Sequence, residues 1–201
     1  GQTNYDDLYA DVILWLKKGW IDYILPQLYW EVGHKAADYT ELLRWWSEHS
    51  YGKNLYIGHG LYQVGVSSKS CWRSMFEIEN QVSALRNIKN VKGSAYYSAN
   101  AFKKNLCDVN YSMQNTINPR PALLPLMTWI DDEAPKAPSL KLSTGGDGYR
   151  VLQWTVDNPQ KEDLQFAIYR FLPNEKIANT SATNLIDIVR GNNYVDKSNS
   201  N

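Results

Sequence analysis

The sequence predicts an α/β protein with parallel strands, followed by a small antiparallel β module. Three features of the 201-residue chain predict this division. Strand-like and helix-like segments alternate up to about residue 106, prolines space the chain between residues 119 and 138, and apolar residues then alternate with polar ones. Because strand–helix alternation requires crossover connections, it favours parallel pairing with right-handed crossovers.

The first element is a helix predicted from about Tyr5 to Lys18, capped by Asn4 or Thr3. Apolar residues recur along it at helical spacing, so one face is expected to be buried. Acidic residues near its start and lysines at its end suit the helix dipole. Gly19 is expected to end this helix, because glycine readily adopts the left-handed conformation of a C-terminal cap.

The segment 21–30 is predicted to be a buried strand around which the rest is organised. It is rich in Ile, Tyr and Leu, carries Pro26 near its end, and is short for a helix. Since alternate side chains of a strand share a face, Gln27 and Tyr29 are expected on the same side. We predict an interior parallel strand whose carboxyl end carries hydrogen-bonding residues.

Further helices and strands are predicted downstream of this strand. They are a helix around residues 37–49, a strand at 54–58, a helix at 72–87, a strand at 91–98 and a short helix at 100–106. In parallel sheets the carboxyl ends of the strands meet at one edge, and α/β proteins bind ligands there. This edge is therefore the first place to seek a site.

The domain organisation follows from the change in sequence pattern after residue 119, where prolines recur and apolar residues then alternate with polar ones. We predict an α/β part over residues 1–133, a proline-spaced linker at 134–138 and a β module over 139–201. Within the module, apolar alternation marks strands near residues 140–142, 151–156 and 166–171. The glycine-rich stretch 145–148 is expected to form the turn between the first two.

Composition and charge exclude several function classes. The chain carries 21 basic and 21 acidic residues, without a basic cluster, so no nucleic-acid partner is predicted. No apolar stretch is long enough to span a bilayer. Eight Trp and fourteen Tyr stand against four Phe, a bias that favours carbohydrate stacking or wet interfaces. Ordinary core packing remains the alternative for any single aromatic residue.

Polar and aromatic side chains cluster at the carboxyl ends of the three predicted strands. The candidate substrate-binding residues are Gln27, Tyr29, Trp30, Glu31, His59, Tyr62 and Tyr97. Together they offer stacking faces, an amide, phenols and an imidazole, which suit a neutral, hydroxyl-rich ligand such as a sugar ring. For each residue a purely structural role is the alternative.

Catalytic residues stay unassigned, because glycoside hydrolysis usually requires two carboxylates and only Glu31 lies at a predicted strand end. Glu31 is either a catalytic group or an exposed loop residue. The three histidines lack close metal-ligand spacing and the two cysteines lack a CxxC spacing, so neither a metal site nor a disulfide framework is predicted. No phosphate-binding or dinucleotide-binding glycine motif is present, and no cofactor is predicted.

Several motifs, in order along the chain, carry a resemblance to a known family. They are Tyr5–Val12, Trp15–Leu16, Gly19–Tyr23, Pro26–Trp30, Trp45–Trp46, Asn54–Gly58 and Pro121–Leu123. These residues resemble the C-terminal part of the bacterial glycosyl-hydrolase-like family ten. The resemblance implies a (β/α)8 TIM-type barrel, a polysaccharide or oligosaccharide partner, and export to the periplasm or cell surface, in some members with a lipid anchor. The tail after Pro138 is similar to the start of a fibronectin type III-like module.

The resemblance implies that this chain is a fragment, since a complete barrel takes about 250 residues and an immunoglobulin-like sandwich about 100. The first half of the barrel, with an expected catalytic carboxylate, would be missing. We therefore expect part of a glycoside hydrolase of envelope or extracellular polysaccharide that binds sugar without cleaving it alone. The alternative is a non-catalytic carbohydrate-binding or scaffolding envelope protein. An exposed sheet edge is also expected either to promote self-association or to be covered by the chain's own tail.

Overall fold

A computed structural model describes residues 3–146, 148–157, 164–177 and 182–197. The chain divides into two compact units, Gly1–Pro119 and Arg120–Asn201, here called the first and second units. The division falls where the proline-spaced stretch begins. The predicted domain boundary at residue 133 and the linker at 134–138 stay predictions.

The first unit is a parallel sheet with helices in the connections between strands. Its strands are β1 (Tyr23–Ile24), β2 (Gln27–Leu28), β3 (Asn54–His59) and β4 (Val91–Tyr96). Its helices are α1 (Val12–Lys18), α2 (Tyr39–Glu48), α3 (Phe76–Arg86), α4 (Ala99–Lys104) and α5 (Val109–Ser112), with 3₁₀ turns at Leu61–Gln63, Ser70–Arg73 and Leu106–Asp108. Strand β3 pairs in parallel with β1, β2 and β4, which confirms the predicted parallel pairing.

The segment 21–30 is not one interior strand, as the sequence analysis predicts. It forms two short strands that flank Pro26, and in the described residues both pair only with β3, which is the central strand. Proline has no N–H to donate to a ladder, so it interrupts regular pairing. The Pro26 carbonyl still accepts a hydrogen bond from the backbone N–H of Gly58, at 2.9 Å, and keeps β2 in register.

Helix α1 begins later than predicted. Its N-cap is Asp11, whose carboxylate accepts a hydrogen bond from the backbone N–H of Leu14 at 2.9 Å. Before it, Tyr9 has a φ of 52°, a left-handed conformation that cannot continue a right-handed helix. Gly19 does end the helix, with a φ of 69°, as its position in the sequence predicts.

Helices α2 and α3 cover one face of the sheet and form its core. The buried residues of this core are Leu28, Tyr39, Leu43, Leu55, Ile57 and Leu85. A second cluster joins α3 to α4 and α5, with Trp72, Ile78 and Val109 fully buried within it.

The other face of the sheet is open in the first unit. Tyr23, at 54% exposure, Leu25 and Gln27 are exposed there, and the Tyr23 ring meets the Tyr56 ring edge-on at 5.7 Å. Gly58 on β3 is the register partner of Gln27, and an added Cβ at Gly58 would come within 3.1 Å of the Leu25 side chain. The absence of a side chain at Gly58 therefore lets Leu25 lie against the sheet backbone.

The second unit is an antiparallel β structure. Strands β5 (Ser139–Thr144), β6 (Arg150–Thr155) and β9 (Asn193–Asp196) form one sheet, and β7 (Gln165–Tyr169) and β8 (Leu185–Arg190) form another. The antiparallel module is thus confirmed, while its fibronectin type III-like identity stays a prediction. The backbone N–H of Gly148 donates to the carbonyl of Gly145 at 3.0 Å in the predicted turn, whose Asp147 lies outside the described residues.

The core packing predicts that substitutions at buried positions of the first unit lower the free energy of unfolding far more than substitutions at exposed positions. Ile57→Ala should lower the free energy of unfolding by about 2–5 kcal/mol, because Ile57 has no exposed surface and truncation leaves a cavity. Urea denaturation followed by circular dichroism measures this loss. Val66→Ala is the control, since Val66 is 68% exposed and should change stability by less than about 0.5 kcal/mol. Equal losses in the two variants would contradict this account of the core.

Candidate functional site

Three tyrosines come together at the carboxyl edge of the parallel sheet. Tyr29 follows β2, Tyr62 lies in the turn after β3, and Tyr97 follows β4. The ring centroids of Tyr29 and Tyr97 are 6.0 Å apart with the rings stacked, and Tyr62 meets each of them edge-on at 5.9 Å. Tyr62 is 45% exposed and Tyr97 is 59% exposed. We call these three residues the tyrosine platform.

The parallel ladder itself places the platform. Beyond the last paired residues, the backbone N–H of Tyr97 donates to the carbonyl of His59, and the N–H of Tyr62 donates to the carbonyl of Tyr97, both at 2.9 Å. Gly60 lies beneath Tyr29, and a Cβ at Gly60 would come within 3.2 Å of the Tyr29 side chain. The peptide bond between Tyr97 and Ser98 is cis. The sequence therefore brings the three rings together through strand register and a glycine.

Tyr29, the most enclosed residue of the tyrosine platform, is uncharged at neutral pH. Burial, followed by the nearby phenols of Tyr97 and Tyr62, raises the pKa of Tyr29 above its ordinary value. Its hydroxyl can therefore donate and accept hydrogen bonds, while the ring offers an apolar face.

Trp30 and Glu31 continue the chain beside the platform. Trp30 is 42% exposed, and its ring lies 6.5 Å from the ring of His34. The ammonium of Lys69 donates to both carboxylate oxygens of Glu31, at 2.7 and 3.0 Å. Burial alone would raise the pKa of Glu31, but the hydrogen bond and charge of Lys69 outweigh it and hold the pKa below its usual range. Glu31 is thus ionised at neutral pH and engaged by a cation.

Gln27 is exposed on the open face of the sheet, next to the platform. It pairs in register with Gly58, so no side chain of β3 covers it from that position. Gln27 and Tyr29 are two residues apart along the chain, a spacing that places them on the same face of the sheet.

His59 does not occupy the position that the sequence analysis predicts for it. Its ring has no exposed surface and stacks between Tyr39, at 5.9 Å, and Tyr96, at 5.3 Å. Nδ1 lies 2.9 Å from Oε1 of Gln81 and Nε2 lies 3.1 Å from the hydroxyl of Ser94. A ligand at the sheet edge cannot touch this buried ring, so His59 is corrected from a contact residue to part of the support.

The alternation along β3 explains this correction. Leu55, Ile57 and His59 point to the helix-covered face, whereas Gly58 and Gly60 lie on the open face. The sequence carried this signal, because His59 stands at even spacing from two apolar residues. The predicted ligand contact rests only on the position of His59 at the end of β3, which does not show to which face its side chain points.

Sequence reasoning missed four polar residues that hold the site from beneath. The side-chain amide of Gln63 donates to the carbonyl of Tyr29 at 2.6 Å, and the amide of Gln81 donates to the carbonyl of Trp30 at 3.1 Å. The carboxylate of Glu77 accepts from the backbone N–H of Val32 at 2.8 Å. Lys69, paired with Glu31, completes the set. Glu77 and Gln81 stand one turn apart on the buried side of α3, the signal that could have found them.

Neither a metal centre nor a membrane span is evident in the part of the chain that the structure describes. Over residues 3–146, 148–157, 164–177 and 182–197, no three His, Cys, Asp or Glu side chains group closely enough to hold a metal ion. In the same residues, no helix combines the length and the apolar character needed to cross a bilayer.

The chain is similar to known glycosyl hydrolases. Residues 1–74 match the family described as Glycosyl hydrolase-like 10. Glycosyl hydrolase YngK of Bacillus subtilis (strain 168) is 38% identical over 176 residues, which cover 85% of this chain and 34% of that protein. Glycosyl hydrolase DigH of Escherichia coli (strain K12) is 42% identical over 71 residues, which cover 34% of this chain and 16% of that protein.

These similarities support the glycosyl-hydrolase-like family that the sequence motifs resemble. The chain spans about a third of the length of YngK and a smaller part of DigH. The range that matches the family contains Tyr29, Trp30, Glu31 and Tyr62, whereas Tyr97 lies beyond it.

The buried imidazole predicts a pH-dependent stability. Burial lowers the pKa of His59 to about 4, although its hydrogen bond to Gln81 opposes the shift. An unfolded histidine has a pKa of about 6.5, so the unfolded state binds the proton more readily between these values. The free energy of unfolding should be highest above about pH 6.5 and fall by up to about 3 kcal/mol as the pH drops to about 4.

Urea denaturation at several pH values between neutral and acidic conditions checks this expectation. His59→Gln should flatten the decline, because the variant has no imidazole to protonate. His49→Gln is the matched control, since His49 contacts Trp45 and not the buried network, and it should keep the wild-type pH dependence. A decline of the same steepness in His59→Gln would rule out His59 as its source.

Proposed function

We propose that this chain is part of a glycoside hydrolase that acts on envelope or extracellular polysaccharide, and that it supplies one wall of the sugar-binding cleft. The observation that carries the proposal is the tyrosine platform beside Trp30 at the carboxyl edge of a parallel sheet. The similarity to glycosyl hydrolases supports the same class of ligand.

The chemistry of the platform suits a sugar. Sugar rings present apolar C–H faces and a rim of hydroxyls. Exposed rings of Trp30, Tyr62 and Tyr97 offer flat apolar surface, and phenol hydroxyls with the amide of Gln27 offer donors and acceptors. No net charge is required of a ligand bound in this way, because the nearby charges of Glu31 and Lys69 neutralise each other.

Hydrolysis requires more than these residues provide. A single carboxylate cannot act both as general acid and as nucleophile or base, and Lys69 keeps Glu31 ionised and paired. We propose that the catalytic carboxylates come from another part of a (β/α)8 barrel to which this four-stranded sheet belongs. On this proposal the chain binds glycan but does not release reducing ends by itself.

A second candidate function is a non-catalytic carbohydrate-binding or scaffolding protein of the cell envelope. The ion pair between Glu31 and Lys69 favours this second function, because Lys69 engages the carboxylate at the sheet edge that could otherwise act in catalysis. On either reading we propose an exported protein, periplasmic or at the cell surface and in some forms lipid-anchored, with a fibronectin type III-like second unit as a spacer. Release of reducing ends from purified glycans by a longer form of the protein separates the two readings.

Trp30 offers the direct test of sugar binding. Trp30→Ala should weaken binding of cell-wall oligosaccharides by about tenfold or more, since truncating an aromatic hot-spot residue costs about 2 kcal/mol or more and about 1.4 kcal/mol is already tenfold. Isothermal titration calorimetry measures the change. Trp20→Ala is the matched control, because Trp20 is 66% exposed but precedes β1 and so lies toward the other end of the strands. Unchanged affinity in Trp30→Ala would remove Trp30 from the site.

The open face and edge of the parallel sheet predict self-association of the chain. Sedimentation velocity should show a dimer or larger species that forms with increasing concentration. In the described residues the outer edges of the parallel sheet have no partner strand, and such edges and exposed apolar surface favour pairing. Leu25→Lys places a charge on the open face and should shift the distribution toward monomer. A wild-type chain that stays monomeric at high concentration would contradict this proposal.

A further inference from the structure

The segment from Tyr29 to Val32 carries Tyr29 and the exposed Trp30 of the site, yet it contains no regular strand or helix after β2. Its consecutive carbonyls are instead held by glutamine amides, Tyr29 by Gln63 and Trp30 by Gln81. The backbone N–H of Val32 is held by Glu77. Side chains from other elements thus replace the backbone ladder in this segment.

The orientation of the Gln81 amide follows from its neighbours. Its nitrogen lies 3.1 Å from the Trp30 carbonyl and 2.9 Å from a carboxylate oxygen of Glu77, and both of those groups only accept hydrogen bonds. The amide oxygen must then face Nδ1 of His59, which carries the proton. Nε2 of the neutral ring in turn accepts from the hydroxyl of Ser94. These contacts together fix the orientation of the Gln81 amide and the tautomer of the His59 ring.

Burial makes this arrangement costly to lose. Gln81 and His59 have no exposed surface, and Glu77 is 5% exposed. A buried carboxylate or amide that loses its partner keeps the desolvation penalty without the compensating hydrogen bond. The network therefore resists displacement of the Trp30 carbonyl, which directly follows the Trp30 side chain, and of the Val32 N–H two residues further on.

We propose that Glu77 and Gln81 are positioning residues that hold Trp30 in the orientation in which it stacks on sugar. This inference takes its ligand, a sugar, from the proposed function, whereas the contacts that hold Trp30 are independent of that function. Neither residue touches the ligand. Glu77 orients the amide of Gln81 and anchors Val32, and Gln81 anchors Trp30.

The test uses the chain labelled with 5-fluorotryptophan, in which the ¹⁹F resonance of Trp30 is identified by its loss in Trp30→Phe. Glu77→Leu should shift and broaden this resonance and weaken binding of cell-wall oligosaccharides by about tenfold. Glu77→Gln should keep the Trp30 resonance and the oligosaccharide affinity at wild-type values, because its amide oxygen can still accept a hydrogen bond from the Val32 N–H. An unaltered Trp30 resonance in Glu77→Leu would overturn the proposal.

Glu79 provides a matched control on the same helix. Its carboxylate accepts from the hydroxyl of Ser112 at 2.7 Å and does not contact the site segment. Glu79→Leu should leave the Trp30 resonance and the oligosaccharide affinity at wild-type values. If Glu79→Leu disturbs Trp30 as strongly as Glu77→Leu does, general loosening of α3 explains the effect and the positioning role is refuted.

A measurement on the wild-type chain covers the case in which Glu77→Leu does not fold. Val32 is 44% exposed and outside any strand or helix, so Glu77 is the partner that would protect its amide. Hydrogen exchange at Val32 should be slowed about a hundredfold or more relative to an unstructured peptide. Exchange at the unprotected rate would overturn the proposal. Absence of oligosaccharide binding by the wild type would instead refute the proposed function and leave these geometric readouts to decide on positioning.

Discussion

The pairing of β3 with its neighbours is the constraint on which the first unit depends. Strand β3 is hydrogen-bonded on one side to β1 and β2 and on the other to β4, so its register fixes which residues share each face. On one face it buries Leu55 and Ile57 under α2 and α3. On the other it presents Gly58, whose missing side chain lets Leu25 lie against the sheet backbone. Both the core and the site follow from this alternation.

Much of the fold could be predicted because its signals are local. The parallel strands, the helices at α2 and α3, and the glycine that ends α1 all come from apolar periodicity or from single conformational preferences. The start of α1 could not, since Asp11 and Asn4 are both acceptable caps by type and only the left-handed Tyr9 decides between them. The edge position of the 21–30 segment depends on long-range pairing, which periodicity does not report.

The site divides in the same way. Tyr29, Trp30, Tyr62 and Tyr97 could be located from strand ends, because parallel strands place their carboxyl ends together. The prediction for His59 is wrong, because a position at a strand end does not determine the face to which a side chain points. The anchoring of the site segment by Gln63, Gln81 and Glu77 joins residues more than thirty positions apart, and no local pattern encodes such a contact.

Gly60 has a consequence for how such a site can vary. A Cβ at this position would lie 2.8 Å from the Gln63 amide nitrogen, the same atom that holds the Tyr29 carbonyl. Even the smallest side chain here would push that amide aside and crowd the Tyr29 side chain, whose nearest atom would lie at 3.2 Å. The shape of this surface is thus governed partly by a backbone position that exposes no side chain, and a substitution there can reshape the tyrosine platform while all three of its tyrosines stay the same.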